Sequence, residues 1–229
     1  MSVFDRTLTH ARTAVARARL GLGLQPLSER WGYDRGVSVH RRYITDFLEA
    51  HAQDVRGHVL EFNDPGYTRE VGGDRVTKSD VVHLDDTNPQ ATIVADLTGP
   101  NTVPSDTFDC VIATHVLHVI FEPLTILREL HRILKPGGAL LVAVPTVSMI
   151  GPEFPELWRF TPLGLRRLLE ATFPPAGVEV RPYGNSLAAA AEIRGVVSSE
   201  LGARELWSVD PRFTVEVCAR AQKAPASNG

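Results

Sequence analysis

The chain has 229 residues, 43% hydrophobic and 22% charged, which is enough to bury the core of one enzyme-sized domain. A formal net charge of -3 argues against the strongly basic face with which proteins hold nucleic acid, and no apolar run is long enough to cross a bilayer or to form a signal-peptide core. The two cysteines, Cys110 and Cys218, fall in predicted buried strands without zinc or disulfide spacing, so a reducing, cytoplasmic compartment is expected.

In chain order, Phe4 to about Leu20 has helical spacing, with Arg6, Arg12, Arg17 and Arg19 read as a solvated face, and Gly21-Leu22-Gly23 opens a loop through Trp31-Gly32. A second helix is predicted from Arg41 to Gln53, with Tyr43, Ile44, Phe47 and Leu48 on one face. Three short strands follow: His58 to Phe62, Val76 to Asp80 and Ala91 to Asp96, carrying Glu61, Asp80 and Asp96 at their ends. Phe108 to Thr114 reads as a buried fourth strand. Glu122 to Leu134 reads as a helix that turns Leu127, Leu130, Ile133 and Leu134 toward the sheet. After the turn Pro136-Gly137-Gly138, the fifth strand, Ala139 to Val144, is apolar without interruption, as burial on both faces requires. Thr161 caps a helix that begins at Pro162 and runs through Leu169. Val178 to Val180 and Phe213 to Ala219 complete the sheet, the last strand inserted antiparallel beside the fifth, and Leu187 to about Leu206 is an alanine-rich helical insertion. The expected architecture is a doubly wound α/β fold: a seven-stranded mixed sheet with helices on both faces. An N-terminal helical cap (1–56), the α/β domain (57–223) and a frayed tail (224–229) divide the chain.

Ligands of open α/β sheets bind outside the carboxyl ends of the strands, so the carboxylates of Glu61, Asp80 and Asp96 are expected to open onto one cavity. The strand Phe108-Asp109-Cys110-Val111-Ile112 and the turn Leu134-Lys135-Pro136-Gly137-Gly138 resemble those of class I S-adenosylmethionine-dependent methyltransferases. Glu61, Asp64, Tyr67, Thr68, Gly72 and Gly73 are similar to a type 11-like bacterial subgroup that accompanies glycosyltransferases or natural-product genes. So are Trp31-Gly32, Arg35-Gly36, the run Ala91 to Leu97, Trp158 to Thr161 and Tyr183-Gly184-Asn185. The resemblance runs from Trp31 to Lys223. It implies a Rossmann-like fold, S-adenosyl-L-methionine as cofactor, and O- or N-methylation of a sugar or natural product. The chain departs from it in one loop: Asn63, Pro65 and Tyr67 stand where the family's first-strand motif has glycines. Asn63 tolerates the left-handed conformation that glycine would supply. A dinucleotide, whose pyrophosphate needs bare backbone, is disfavoured by the same loop. His40 replaces an aspartate of the subgroup, and His115 and His118 replace glutamines.

The resemblance implies a role for each residue. Glu61 would orient the loop and meet the amino-acid end of the cofactor, or else only cap backbone amides. Asp80 would accept both ribose hydroxyls, with Asp85 or Asp86 as alternatives. Asp96 would take the adenine amine with Leu97 along the ring edge, or form an Asx-turn. Thr114 lies near the reacting centre, and Tyr67 either faces the sulfonium or packs. His115, His118 and His40 are candidates for a general base, against the alternative of surface histidines without function. Trp158 and Arg159 resemble a lid that stacks on a ring and holds an anion, or anchor their loop. Tyr43 is a further candidate for substrate binding. No metal site, nucleic acid or membrane is expected; the partner is a small-molecule acceptor and the candidate assembly a homodimer. A non-methylating cyclisation or rearrangement, and a catalytically silent binding protein, are the competing functions.

Overall fold

A computed structural model describes residues 23–152 and 155–226, so the predicted helix from Phe4 to Leu20 and its arginines lie outside the described residues. Helix α1 (Val39–Ala50) buries Tyr43, Ile44, Phe47 and Leu48, the face its apolar spacing predicts, although it starts and stops earlier than expected. Seven strands follow: β1 (Gly57–Phe62), β2 (Val76–His83), β3 (Ile93–Val94), β4 (Phe108–Thr114), β5 (Leu134–Pro145), β6 (Val178–Tyr183) and β7 (Glu216–Gln222). Their order is β3-β2-β1-β4-β5-β7-β6; β7 pairs antiparallel with β5, as the sequence predicted, and also with β6. Among the parallel strands the order reverses between β1 and β4, which opens a crevice at their carboxyl ends.

Both faces of the sheet are covered, and alternation along the strands divides the core in two. Val111, Ala113, Leu140, Val142 and Val217 pack with Ile126, Leu127 and Leu130 of α2 (Pro123–Ile133) and Leu165 and Leu169 of α3 (Pro162–Glu170). Cys110, Ile112, Leu141, Ala143 and Cys218 face the other way, onto α1, α4 (Ser186–Arg194) and α5 (Ala203–Trp207). Both cysteines are buried free thiols. Thr161 caps α3 as its sequence requires, its Oγ1 accepting from Gly164 N at 3.1 Å.

Several boundaries moved for identifiable reasons. β2 runs past Asp80 because Val81 and Val82 continue the buried run. β3 shrinks to two residues at the sheet edge, where one flank has no ladder partner. The Pro-Gly-Gly turn is absorbed into β5 as a bulge, the register with β4 jumping from Phe108↔Leu134 to Cys110↔Ala139. β7 starts three residues late because Pro211–Phe213 forms a 3-10 turn. The predicted insertion from Leu187 to Leu206 is broken at Gly195 into α4, a short turn at Ser198–Glu200 and α5. Gly195 has φ 69°, and a Cβ there would lie 2.7 Å from that of Ser28. Among the described residues no helix is long and apolar enough to cross a membrane.

Candidate functional site

A cavity of about 610 Å³ lies at the carboxyl ends of the strands. It is lined by Glu61, Asn63, Tyr67, Asp96, Leu97 and Thr114, and by His40, His115 and His118.

The loop after β1 forms one wall. Asn63 takes the left-handed conformation at φ 68°, and Asp64 Oδ1 accepts from Gly66 N at 2.8 Å, so the chain turns without the family's glycines. Glu61 holds the far side of the turn: Oε1 accepts from Tyr67 N at 3.1 Å and Oε2 from Thr68 N at 2.7 Å. Burial pushes its carboxyl up to about 7, more than the amide bonds draw it down. Tyr67 turns its ring to the cavity, and the Arg41 guanidinium of α1 sits 5.6 Å from that ring's centre and 5.5 Å from that of Tyr33.

Farther along the strand ends, Asp96 Oδ1 accepts from Thr98 N at 2.8 Å and Thr98 Oγ1 at 2.6 Å, the expected Asx-turn, and these bonds lower its pKa. Its other oxygen has no hydrogen bond to the described residues. Leu97 is buried beside it.

Asp80 does not reach this cavity. It lies in the middle of β2, with Oδ2 2.6 Å from His58 Nε2 and 2.9 Å from Lys78 Nζ, while Oδ1 accepts from Thr92 Oγ1 at 2.9 Å. These partners overcome the opposing effect of burial and hold its pKa low, and the carboxylate pins neighbouring strands together. The carboxylate just beyond the end of β2 is Asp85, whose Oδ1 accepts from Thr87 N at 3.0 Å; Leu84 before it lines the cavity.

Three imidazoles also converge on the cavity lining. His115, in a left-handed conformation at φ 54°, stacks on His40 with ring centres 5.0 Å apart and meets the edge of His118 at 5.4 Å. His115 Nε2 lies 3.1 Å from Oε1 of Glu216, a fully buried residue of β7 whose Oε2 has no partner among the described residues. His40 Nδ1 lies 2.6 Å from Glu192 Oε1 on α4, and its Nε2 is 3.1 Å from the Tyr33 hydroxyl. Burial is the largest influence on His40 and disfavours its cation, but the charge and hydrogen bond of Glu192 outweigh it and its pKa is raised. His118 is the reverse case. Burial, then the neighbouring His115, push it down to about 4, and its Nδ1 is buried without a partner among the described residues.

Three predicted substrate contacts are instead structural. Tyr43 is wholly buried, donates to Leu206 O at 2.7 Å and stacks on Tyr183 at 5.2 Å. Trp158 donates from Nε1 to Ile120 O at 2.9 Å, and Arg159 pairs with Glu156 at 2.6 Å. Neither of these two lines the cavity; they fasten the loop after β5 to the turn after β4, where Leu157 N and Trp158 N both donate to His118 O. Sequence reasoning missed Glu192 and Glu216. The available signal was a lone acid in each of two otherwise apolar segments, Ala188 to Ile193 and Val215 to Ala219. It also missed Tyr33, Arg41 and Glu156, which line the cavity from loops and from the start of α1.

Residues 59–142, which span β1 to most of β5, match the family model described as a methyltransferase domain. Over these residues the chain is similar to class I methyltransferase domains. Solved structures share its fold. The [4+2]-cyclase SpnF is 18% identical with a TM-score of 0.54, over 88% of this chain and 87% of that one. A chain in the complex of the Haloferax volcanii Trm112 methyltransferase activator with a methyltransferase is 16% identical with a TM-score of 0.54, over 87% and 96%. A SAM-dependent methyltransferase from Archaeoglobus fulgidus is 14% identical with a TM-score of 0.53, over 80% and 94%. Among curated proteins none matches. In this shared fold the switch-point crevice, and the cavity above it, lie where ligands of doubly wound sheets bind.

Proposed function

We propose that the domain is an S-adenosylmethionine-dependent methyltransferase acting on a small-molecule acceptor, a sugar or natural product. The observation that carries this reading is one cavity lined by two chemically distinct sets of side chains. One set offers the buried carboxyl of Glu61, the half-free carboxylate of Asp96, the apolar side of Leu97 and the ring of Tyr67. This donor set suits a cationic amino acid joined to a nucleoside, and about 610 Å³ is within the usual range for pockets that enclose such ligands. When bound, the cofactor supplies a methyl group activated on a sulfonium.

In this reading Glu61 fixes the loop and faces the ammonium, whose charge would return its carboxyl to the ionised form. Asp96 takes the adenine amine through the oxygen its turn leaves free, and Leu97 covers the ring edge. The ribose lies against the loop after β2, where Leu84 lines the cavity and Asp85 follows it. Arg41, held over two ring faces, meets the cofactor's carboxylate. Tyr67 presents a ring face to the sulfonium. The histidine cluster receives the acceptor, and a cluster of imidazoles favours a hydroxyl, which must lose its proton, over an amine, which attacks with a free pair.

Calorimetric titration with S-adenosylmethionine and S-adenosylhomocysteine tests the binding half, with micromolar affinity expected and no heat of binding sinking it. Release of S-adenosylhomocysteine on addition of candidate hydroxyl compounds tests the transfer. Binding without release for any compound that the protein nonetheless converts would move the domain to the non-methylating chemistry of a cyclisation or rearrangement.

A further inference from the structure

We infer that Glu216 is a positioning residue that holds the His115 ring so that its Nδ1 is the general base for the acceptor. The inference rests on the methyl-transfer reading and selects one of the three histidines.

The other two are unsuited by their surroundings. Both ring nitrogens of His40 are occupied, Nδ1 by Glu192 at 2.6 Å and Nε2 by Tyr33 and Ser38 at 3.1 and 3.3 Å, and the residue is almost wholly buried. His118 is held neutral by burial, so it accepts a proton poorly at neutral pH and acts only as a hydrogen-bond partner. His115 lines the cavity with its side chain 29% exposed, and its Nδ1 has no hydrogen bond to the described residues.

A buried carboxylate accepts hydrogen bonds and cannot donate them, so the 3.1 Å contact to Glu216 Oε1 fixes the proton on His115 Nε2. The lone pair is then on Nδ1. In the step, the acceptor's O–H bond breaks and its proton bonds to Nδ1, while the oxygen keeps the electron pair with which it takes the methyl group. The pair of the broken carbon–sulfur bond stays on sulfur. His115 becomes an imidazolium, and its charge is met by Glu216, whose second oxygen is buried without a partner among the described residues. A fully buried carboxylate is otherwise costly, and a positive charge arriving beside it during the reaction repays that cost. The groups facing His115 are Glu216 from β7, His40 from α1 with Glu192 behind it, and His118 from the turn after β4 with Glu156 beyond.

Nitrogen-15 NMR of the imidazoles, on wild-type protein saturated with S-adenosylhomocysteine, reads the tautomer directly. The expected result is His115 protonated at Nε2 and bare at Nδ1; the opposite tautomer overturns the proposal without any variant. In Glu216→Gln, whose amide can donate to Nε2 as well as accept from it, the fraction of His115 protonated at Nε2 should fall. An unchanged fraction, in a variant whose far-ultraviolet spectrum shows it folded, overturns it as well. Calorimetry on the same samples separates the two levels: wild-type protein that does not bind S-adenosylmethionine removes the methyl-transfer reading, whereas normal binding with the wrong tautomer removes only this one.

Discussion

Glu61 illustrates how a single side chain can be both a brace and a ligand. Its folded pKa of about 7 stands above the ordinary 4.5, so its contribution to stability is fully present below about 4.5 and is lost as pH rises through 7. In chemical denaturation, the stability of wild type relative to Glu61→Gln should therefore fall between pH 5 and 7 in the unliganded protein; a constant difference would show that Glu61 is not shifted. Asp96 and Asp80 separate function from structure. Asp96→Ala should weaken S-adenosylmethionine binding about tenfold or more, since a hydrogen bond from a charged group is worth about 1.5–3 kcal/mol. Asp80→Ala should leave that affinity unchanged and cost about 1–3 kcal/mol of stability, because His58, Lys78 and Thr92 lose their shared partner. Calorimetry and urea midpoints on both variants check the contrast. Glu61, Asn63, Tyr67, Asp96, Leu97, Thr114 and the three histidines were legible because each sits at or just past a strand end or helix start that hydrophobic pattern locates. Asp80 misled because a carboxylate was taken to end an apolar run that in fact continues through Val81 and Val82. Glu192 and Glu216 were illegible as site residues because their partners lie 152 and 101 residues away, and only folding brings them together.

Among the elements, α1 and α4 are joined by a buried clasp. Glu192 accepts from His40 N at 3.1 Å and faces its imidazole at 2.6 Å, at a point where the first turn of α1 carries no acidic residue of its own. Glu192→Ala should destabilise by about 3–5 kcal/mol, as removing one partner of a buried ion pair does. Because the folded pKa of His40 is raised, the loss should be greatest below about pH 6.5 and shrink as pH rises; thermal midpoints measured across that range check it. At the end of α4, Gly195→Ala should cost about 1–3 kcal/mol, since the new methyl meets Ser28 and the left-handed φ disfavours it. Strands were easier to foresee than helices here. β4 matched its predicted span because its residues are buried on both faces and leave a continuous apolar run, whereas the alanine-rich insertion carried a helical composition that Gly195 interrupts.

At the scale of the whole molecule, the mixed sheet was legible from the order of its apolar runs, and the antiparallel place of β7 from the long excursion before it. That place also decides the tolerance of the fold to truncation. β7 lies between β5 and β6, and Arg220 on it forms a paired contact with Asp54 at 2.7 and 2.8 Å across the sheet. Ending the chain at Thr214 should abolish cooperative unfolding, monitored by circular dichroism during thermal melts, because β6 loses its ladder partner and β5 gains an open edge. The same arrangement has a consequence on the ribosome. The strand that joins β5 to β6 is the last of the seven to be synthesised, so the nascent chain carries an apolar, unpaired β5 edge throughout the translation of roughly seventy residues. During that interval His115 has no Glu216 behind it, and the β5 edge is open to pairing with another chain.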